Sequence, residues 1–147
     1  MRILGIDCEG VIFHFHGKSV PGSLENLRKI VRSNRFDKIY IVSRARMLTR
    51  FYFLARLWYL NFWHYTGISR HDIYFCRRDE KKADICKQLK ISHFIDDRFE
   101  VLRHLTTVEK KYALDPTPRS IRRFARSNPD VVVAGSWEEL IPVLIRH

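Results

Sequence analysis

Short apolar runs alternate along the chain with longer amphipathic segments, and this alternation limits the possible folds more than any other feature. Runs rich in β-branched and aromatic residues predict strands at residues 3–6, 38–42, 72–76, 93–95, 111–114 and 131–134. Apolar residues at helical spacing predict helices at residues 23–32, 47–65, 79–89, 98–105, 120–126 and 137–146. Strands that alternate with helices in this way indicate an α/β fold, with a Rossmann-like parallel sheet and helices on both faces.

The length, the charge and the cysteines narrow the class of protein further. The 147 residues predict a single domain over residues 1–147. Lys and Arg number 27 against 16 Asp and Glu, and the net charge of +11 favours anionic partners such as phosphates or nucleic acid. Three cysteines without C-x-x-C spacing indicate reduced thiols and a cytoplasmic location. The most apolar window, residues 51–65, is too short to span a bilayer, so we expect no membrane association.

Acidic, hydroxyl and basic side chains follow three of the predicted strands, at the point where each strand ends. They are Asp7 and Glu9, Ser43 and Arg44, and Asp96 and Asp97. Ligands bind at the carboxyl edge of such sheets, so we expect these side chains to converge there with an ammonium group of the Lys81-Lys82 pair. Clustered carboxylates disfavour each other's ionisation, and a divalent cation such as Mg²⁺ would compensate their charge.

Four segments carry these residues in order: ILGIDCEGVI, IYIVSR, KKADICKQLKI and HFIDDR. Lys82 precedes Asp96 by fourteen residues. Together the segments resemble the motifs of the haloacid dehalogenase-like superfamily, over about residues 3–103. The resemblance implies a phosphohydrolase of that fold, with a small flap at residues 11–20. The segment between Ser43 and Asp72 is too short for a large cap domain.

The resemblance also implies a role for each site residue. Asp7 would be the nucleophile that forms an aspartyl-phosphate, and Glu9 would be the general acid and base. The other two catalytic residues, Ser43 and Lys82, would bind the phosphoryl oxygens. The implied substrate-binding residues are Ser43, Arg44, Lys82 and Gly10. The implied Mg²⁺ ligands are Asp7, Glu9 through its backbone carbonyl, Asp96 and Asp97.

One position departs from the family motif. Phosphatases of this family usually have Asp where this chain has Glu9. The two side chains have similar pKa values, about 4.3 and 3.9, but the extra methylene moves the carboxyl group. A displacement of about 1 Å can lower a rate about a hundredfold. Two functions therefore stay open: a phosphatase, including a nucleotidase or polynucleotide-end phosphatase, and a catalytically impaired module that binds phosphate or nucleic acid.

Two further segments could contact partners. Residues 51–65 hold eight of the 19 aromatic residues, and we expect one apolar stripe of this segment to pack on the sheet. That stripe is Phe51, Leu54, Trp58, Phe62 and Tyr65. Alternatively the segment forms a homo-oligomer interface. Arginines at 119, 122, 123 and 126 fall on one predicted helical face, which is either solvated or a footprint for a phosphate backbone.

Overall fold

Six parallel strands form one sheet in a computed structural model that describes residues 1–146. The strands are β1 (Ile3–Ile6), β2 (Lys38–Arg44), β3 (Ile73–Cys76), β4 (His93–Asp96), β5 (Lys110–Leu114) and β6 (Val131–Ala134). Their order across the sheet is β3-β2-β1-β4-β5-β6, so β1 and β4 lie side by side at its centre. All four residues of β1 and of β4 are buried, as expected for strands covered on both faces.

Helices cover both faces of this sheet, which confirms the predicted fold class. They are α1 (Ser23–Ser33), α2 (Met47–Tyr59), α3 (Phe62–Thr66), α4 (Asp79–Gln88), α5 (Phe99–Leu102), α6 (Pro118–Phe124) and α7 (Trp137–Ile145). Successive residues of a strand point to opposite faces, so Ile41 joins one apolar cluster and Val42 the other. The first cluster contains residues of α1, α2, α3 and α7, and the second contains residues of α4, α5 and α6.

Residues 11–20 form the expected small flap above the carboxyl edge of the sheet. Its first three residues, Val11, Ile12 and Phe13, are fully buried, and the buried Trp137 indole N–H donates to the Val11 carbonyl over 3.0 Å. Phe13 also makes an isolated bridge with Ser19. Within residues 1–146 the helices and strands leave no inserted cap domain.

Helix α2 fastens the outer part of the flap. The Tyr52 hydroxyl donates to the Phe15 carbonyl over 2.6 Å, and the Arg56 guanidinium donates to the Gly17 carbonyl. Tyr52 and Arg56 are four residues apart, so both side chains leave the same side of the helix. The flap is therefore held by α7 from one side and by α2 from the other.

The predicted single helix over residues 47–65 is wrong, because the chain breaks at Asn61. This residue has a left-handed backbone, with φ of 54°, which ends α2 and lets the short α3 start in a new direction. Asn tolerates this conformation better than most residues other than Gly. The break lets Phe62 turn inward, where it is fully buried.

The prediction that Phe51, Leu54 and Trp58 pack on the sheet is also wrong. Phe51 and Trp58 are 65% and 78% exposed, and Leu54 is exposed as well, whereas Phe53 and Leu57 are buried in the first apolar cluster. Apolar residues occur all round α2, so the Phe51 side and the Phe53 side both have helical spacing. The flap packs against the side that carries Phe53. Phe53 packs edge-on against Phe13 at 5.3 Å between ring centroids. The homo-oligomer interface over residues 51–65 stays a prediction.

The arginine-rich helix is displaced from its predicted range. It starts at Pro118 because the Thr117 side chain accepts the Ser120 N–H over 3.2 Å and caps it, and it ends at Phe124. Arg126 therefore lies beyond α6, although all four arginines of the predicted face are exposed. No helix within residues 1–146 is long and apolar enough to cross a membrane.

His93 lies in the sheet with an unusual environment for an ionisable group. Its ring stands edge-on to Phe36 at 5.1 Å and parallel to Tyr112 at 6.3 Å between centroids. Burial lowers the pKa of His93 to about 4, and the nearby cations Arg2 and Lys110 contribute in the same direction.

We expect this histidine to make folding stability depend on pH. Between pH 6.5 and 4 the unfolded chain binds a proton that the folded protein excludes at His93, so the contribution of His93 to stability is lost as the pH falls through this range. The buried carboxyl groups of Asp7 and Asp97, whose pKa values are raised, change stability in the opposite direction. The loss at His93 is about 2–3 kcal/mol at pH 4. Urea denaturation of the parent and of His93→Gln at several pH values should show this loss as a difference between their slopes, since the other titrating groups are common to both proteins. His71→Gln changes an exposed histidine and serves as the control. Equal slopes in the His93→Gln variant and the parent would contradict the assignment.

Candidate active site

The central pair of strands brings two carboxylates together. Asp7 follows β1 directly, Asp96 is the last residue of β4, and the register pairs Ile6 with Ile95. The Asp7 N–H donates to the Ile95 carbonyl over 3.2 Å, which continues the ladder one residue further. Both side chains are buried, so their positions follow from the sheet itself.

Lys82 enters this edge of the sheet from the first turns of α4. Its Nζ lies 2.9 Å from Asp96 Oδ2 and 3.4 Å from Asp7 Oδ1, and the side chain is buried. Although burial alone would lower it, the two carboxylates raise the pKa of Lys82 above its ordinary value, so the ammonium stays charged. Lys81 is exposed on the same helix. The structure thus places Lys82, and not Lys81, between the acidic side chains.

Asp97 adds a third carboxylate to the same point. One oxygen each from Asp7, Asp96 and Asp97 lies within 4.8 Å of the others. Burial raises the pKa of Asp7 to about 6, with Lys82 opposing the effect. Burial, and then the charges of Asp96 and Asp7, raises the pKa of Asp97 to about 9. Asp97 Oδ1 is buried and has no hydrogen-bond partner among the described residues.

This arrangement fits a hard divalent cation. Three carboxylates face one another and only one buried ammonium offsets them, so the cluster has excess negative charge that a cation would neutralise. Oxygen ligands from carboxylates are those that Mg²⁺ prefers. The donor set of Asp7, Asp96 and Asp97 therefore suits such an ion.

Gly10 makes room for this cluster. Its φ is +82°, and a Cβ at this position would overlap the Asp97 carboxylate. A residue with a side chain would therefore be strained in its backbone and would also displace Asp97. Gly10 thus acts through the space it leaves, and its predicted contact with substrate stays a prediction.

Ser43 lies near the end of β2, next to β1. Its side chain is buried, and its Oγ has no hydrogen-bond partner among residues 1–146. The residue also lines the cavity that opens in front of Asp7. A buried hydroxyl without a partner is rare in proteins, and here it is available to an oxygen of a bound molecule.

The cavity itself has a volume of about 410 Å³ and a basic rim. Its lining includes Asp7, Glu9, Ser43 and Lys82, as the sequence predicts. Arginines form the rim: Arg44, Arg46, Arg77 and Arg98. Among these, Arg44 and Arg98 approach the Asp79 carboxylate to 3.6 and 3.8 Å.

Only Arg44 of this rim is a predicted site residue. Arg46 and Arg77 follow the ends of β2 and β3, as Arg44 ends β2, so the same rule about strand ends could have found them. Arg98 follows the Asp-Asp pair directly. The sequence contains no motif for these arginines, because loop positions around a site do not follow a fixed spacing.

Glu9 lines the cavity, but its carboxylate lies apart from the other three. Its Oε1 accepts the backbone N–H of Phe15 in the flap over 3.3 Å. Glu9 is therefore outside the group of three carboxylates that face one another. Its contribution to a metal through the backbone carbonyl stays a prediction.

The comparison with known proteins decides the fold. No family model matches the sequence, and no curated protein matches it. Among solved structures, a D,D-heptose 1,7-bisphosphate phosphatase from Burkholderia thailandensis has a TM-score of 0.69 and 13% identity, and the match covers all of both chains. A haloacid dehalogenase-like hydrolase from Burkholderia xenovorans has a TM-score of 0.62 and 16% identity, over 90% of this chain and 60% of that one. The chain has the haloacid dehalogenase-like fold.

A third similar structure is that of a metal-bound protein. The cobalt-bound form of the deoxy-D-mannose-octulosonate 8-phosphate phosphatase from Haemophilus influenzae has a TM-score of 0.55 and 13% identity, over 99% of this chain and 88% of that one. The full-length match to the heptose bisphosphate phosphatase agrees with a haloacid dehalogenase-like fold that has a flap and no large cap. The resemblance drawn from the four motifs is thus confirmed at the level of the fold.

We expect Lys82 to be essential for stability as well as for the site. Lys82→Met would leave Asp7 and Asp96 buried without their common counter-charge, which should lower the free energy of unfolding by about 3–5 kcal/mol at pH 7. Lys81→Met is the matched control, since it makes the same change at the exposed neighbour. Urea denaturation in the absence of divalent metal measures both. A decrease of less than about 1 kcal/mol for Lys82→Met would contradict the buried ion pairs.

Proposed function

We propose that the protein is a Mg²⁺-dependent phosphohydrolase that cleaves phosphate monoesters through an aspartyl-phosphate on Asp7. The observation that carries the proposal is the Lys82 ammonium, within 2.9 Å of Asp96 and 3.4 Å of Asp7, beside the unpartnered hydroxyl of Ser43. Two of the similar structures are phosphatases of phosphorylated sugars by name, which supports the same class of reaction.

Asp7 is the residue placed for attack on phosphorus. Its Oδ1 accepts the Cys8 N–H over 2.9 Å and faces Lys82, which leaves Oδ2 for the new bond. Lys82 and Ser43 bind the phosphoryl oxygens. As the Asp7–phosphorus bond forms, the ester bond breaks and the leaving oxygen takes a proton from Glu9. Glu9 then removes a proton from water, which attacks phosphorus, releases inorganic phosphate and regenerates Asp7.

Asp7, Asp96 and Asp97 would hold the Mg²⁺ ion in this proposal. When bound, the ion supplies positive charge beside the phosphoryl oxygens, where negative charge develops. Lys82 keeps Asp7 and Asp96 in place, and the Arg98 N–H orients Asp96 by donating to its Oδ1 over 3.1 Å. The arginine rim attracts the anionic substrate into the cavity.

The first test is hydrolysis of an aryl phosphate with and without Mg²⁺. We expect activity with Mg²⁺ and a return to background with EDTA, because the carboxylate cluster lacks its counter-charge without metal. Asp7→Asn should also return the rate to background, since an amide is a poor nucleophile of similar shape. Hydrolysis by the Asp7→Asn variant at the rate of the parent would exclude Asp7 as the nucleophile.

Glu9 favours a second candidate function, a catalytically impaired module that binds phosphate or nucleic acid. Its carboxylate is one methylene longer than the Asp usual in this family, and it is hydrogen-bonded to the flap at Phe15. In an impaired protein the cluster and the arginine rim would still bind a phosphate group, but no proton would reach the leaving oxygen.

Two substitutions at Glu9 distinguish these functions. For the phosphohydrolase we expect Glu9→Gln to lower kcat about 10²–10⁴-fold, because the general acid is removed. Glu9→Asp should change kcat by less than about tenfold, because the acid group is kept. An increase of about a hundredfold or more in Glu9→Asp would show instead that the native carboxyl is misplaced, and would favour the binding module.

A further inference from the structure

A second cleft continues outward from the catalytic cavity. It has a volume of about 740 Å³ and lies between the loops after β2 and β3 and the first turn of α2. Its lining residues are Arg46, Met47, Leu48, Thr49, Arg77 and Arg78. Arg46, Thr49 and Arg77 also line the catalytic cavity, so the two spaces adjoin each other. A molecule that places one end beside Asp7 can therefore extend into the second cleft.

The charge of this second cleft selects an anion. Its arginines Arg46, Arg77 and Arg78 are exposed, and no carboxylate of residues 1–146 forms an ion pair with them. The lining contains no acidic residue. By contrast, Arg44 and Arg98 at the mouth of the cavity share the Asp79 carboxylate. The uncompensated arginines thus extend from the rim of the catalytic cavity, at Arg46 and Arg77, to Arg78 outside it, and they fit further negative groups on the same molecule.

An apolar stripe starts in this cleft and continues along the outer face of α2. Leu48, Phe51 and Trp58 are 83%, 65% and 78% exposed, and their spacing places them along one side of the helix. Arginines next to exposed aromatic rings are the combination that binds single-stranded nucleic acid, because the cations follow the backbone while unpaired bases stack on the rings. A small bisphosphate would use the arginines but would leave the stripe without a partner.

We propose that the substrate is the terminal phosphate monoester of a single-stranded polynucleotide, a proposal that rests on the phosphohydrolase function. The terminal phosphate occupies the cavity beside Asp7, and the adjoining phosphodiester groups bind Arg46, Arg77 and Arg78. The first bases lie against Leu48 and Phe51. A second copy of this chain is disfavoured as the occupant, because each copy carries a net charge of +11 and the two basic faces would repel.

The Asp7→Asn variant allows binding to be measured without turnover. The probes are fluorescent DNA and RNA oligonucleotides with a terminal phosphate, and fluorescence anisotropy measures their binding. An unlabelled nucleoside monophosphate competes for the same site. We expect the phosphorylated oligonucleotide to bind at least tenfold more tightly than the mononucleotide. The DNA and RNA arms show which sugar the cleft accepts.

Two matched double variants locate the binding surface. Arg77→Ala with Arg78→Ala should weaken oligonucleotide binding at least tenfold. It should also reduce the slope of log K against log salt by about 1.4, because each phosphate that is no longer neutralised accounts for about 0.7. Arg122→Ala with Arg123→Ala removes the same charge from the exposed surface of α6 and should change neither quantity. Circular dichroism confirms that both variants are folded.

The outcomes separate this proposal from the function on which it rests. Loss of binding in the α6 variant alone, or equal affinity for oligonucleotide and mononucleotide, would overturn the polynucleotide assignment. Neither result would affect the hydrolysis of aryl phosphate by the parent protein. Conversely, the oligonucleotide could bind tightly through Arg77 and Arg78 while the parent protein releases no phosphate from it or from an aryl phosphate. That result would reject the phosphohydrolase function and would leave the second cleft established as a site that binds single strands.

Discussion

A single buried ammonium group holds the candidate site together. Lys82 reaches from α4 into the centre of the sheet edge, where it contacts carboxylates that follow β1 and end β4. Without it, two buried negative charges, on Asp7 and Asp96, would oppose the close pairing of these strands. The ion pairs thus explain why so acidic a cluster can exist within an otherwise apolar sheet. They also explain why the cluster keeps excess negative charge that suits a divalent cation.

The site residues that could be predicted from the sequence are those that lie at the ends of strands. Parallel strands end at one edge, so Asp7, Ser43 and Asp96 could be brought together from the sequence alone, and a helix of suitable length carries Lys82 to the same edge. The basic rim was predicted only at Arg44, although the same rule about strand ends applies to Arg46 and Arg77. Arg98 lies in a loop where no periodicity distinguishes it from ordinary surface charge. The orientation of α2 could not be predicted, since apolar residues surround it and only the flap decides that Phe53 turns inward.

The break at Asn61 shows the same limit. A helical pattern continues through this residue on both sides, and a change of direction leaves no trace in the hydrophobic spacing. Because α2 ends there, Phe62 turns into the core. The stripe of Leu48, Phe51 and Trp58 on α2 stays exposed to solvent. The exposed aromatic residues are therefore a consequence of packing that the flap requires, and they are available to a molecule that extends from the cavity.

The hydrogen bond between Trp137 and Val11 joins segments that are 126 residues apart in the chain. Val11, Ile12 and Phe13 thus pack between a residue of α7 and Phe53 of α2. The shape of the pocket therefore depends on tertiary packing between distant parts of the chain, and the local sequence around Asp7 does not by itself determine the conformation of the flap.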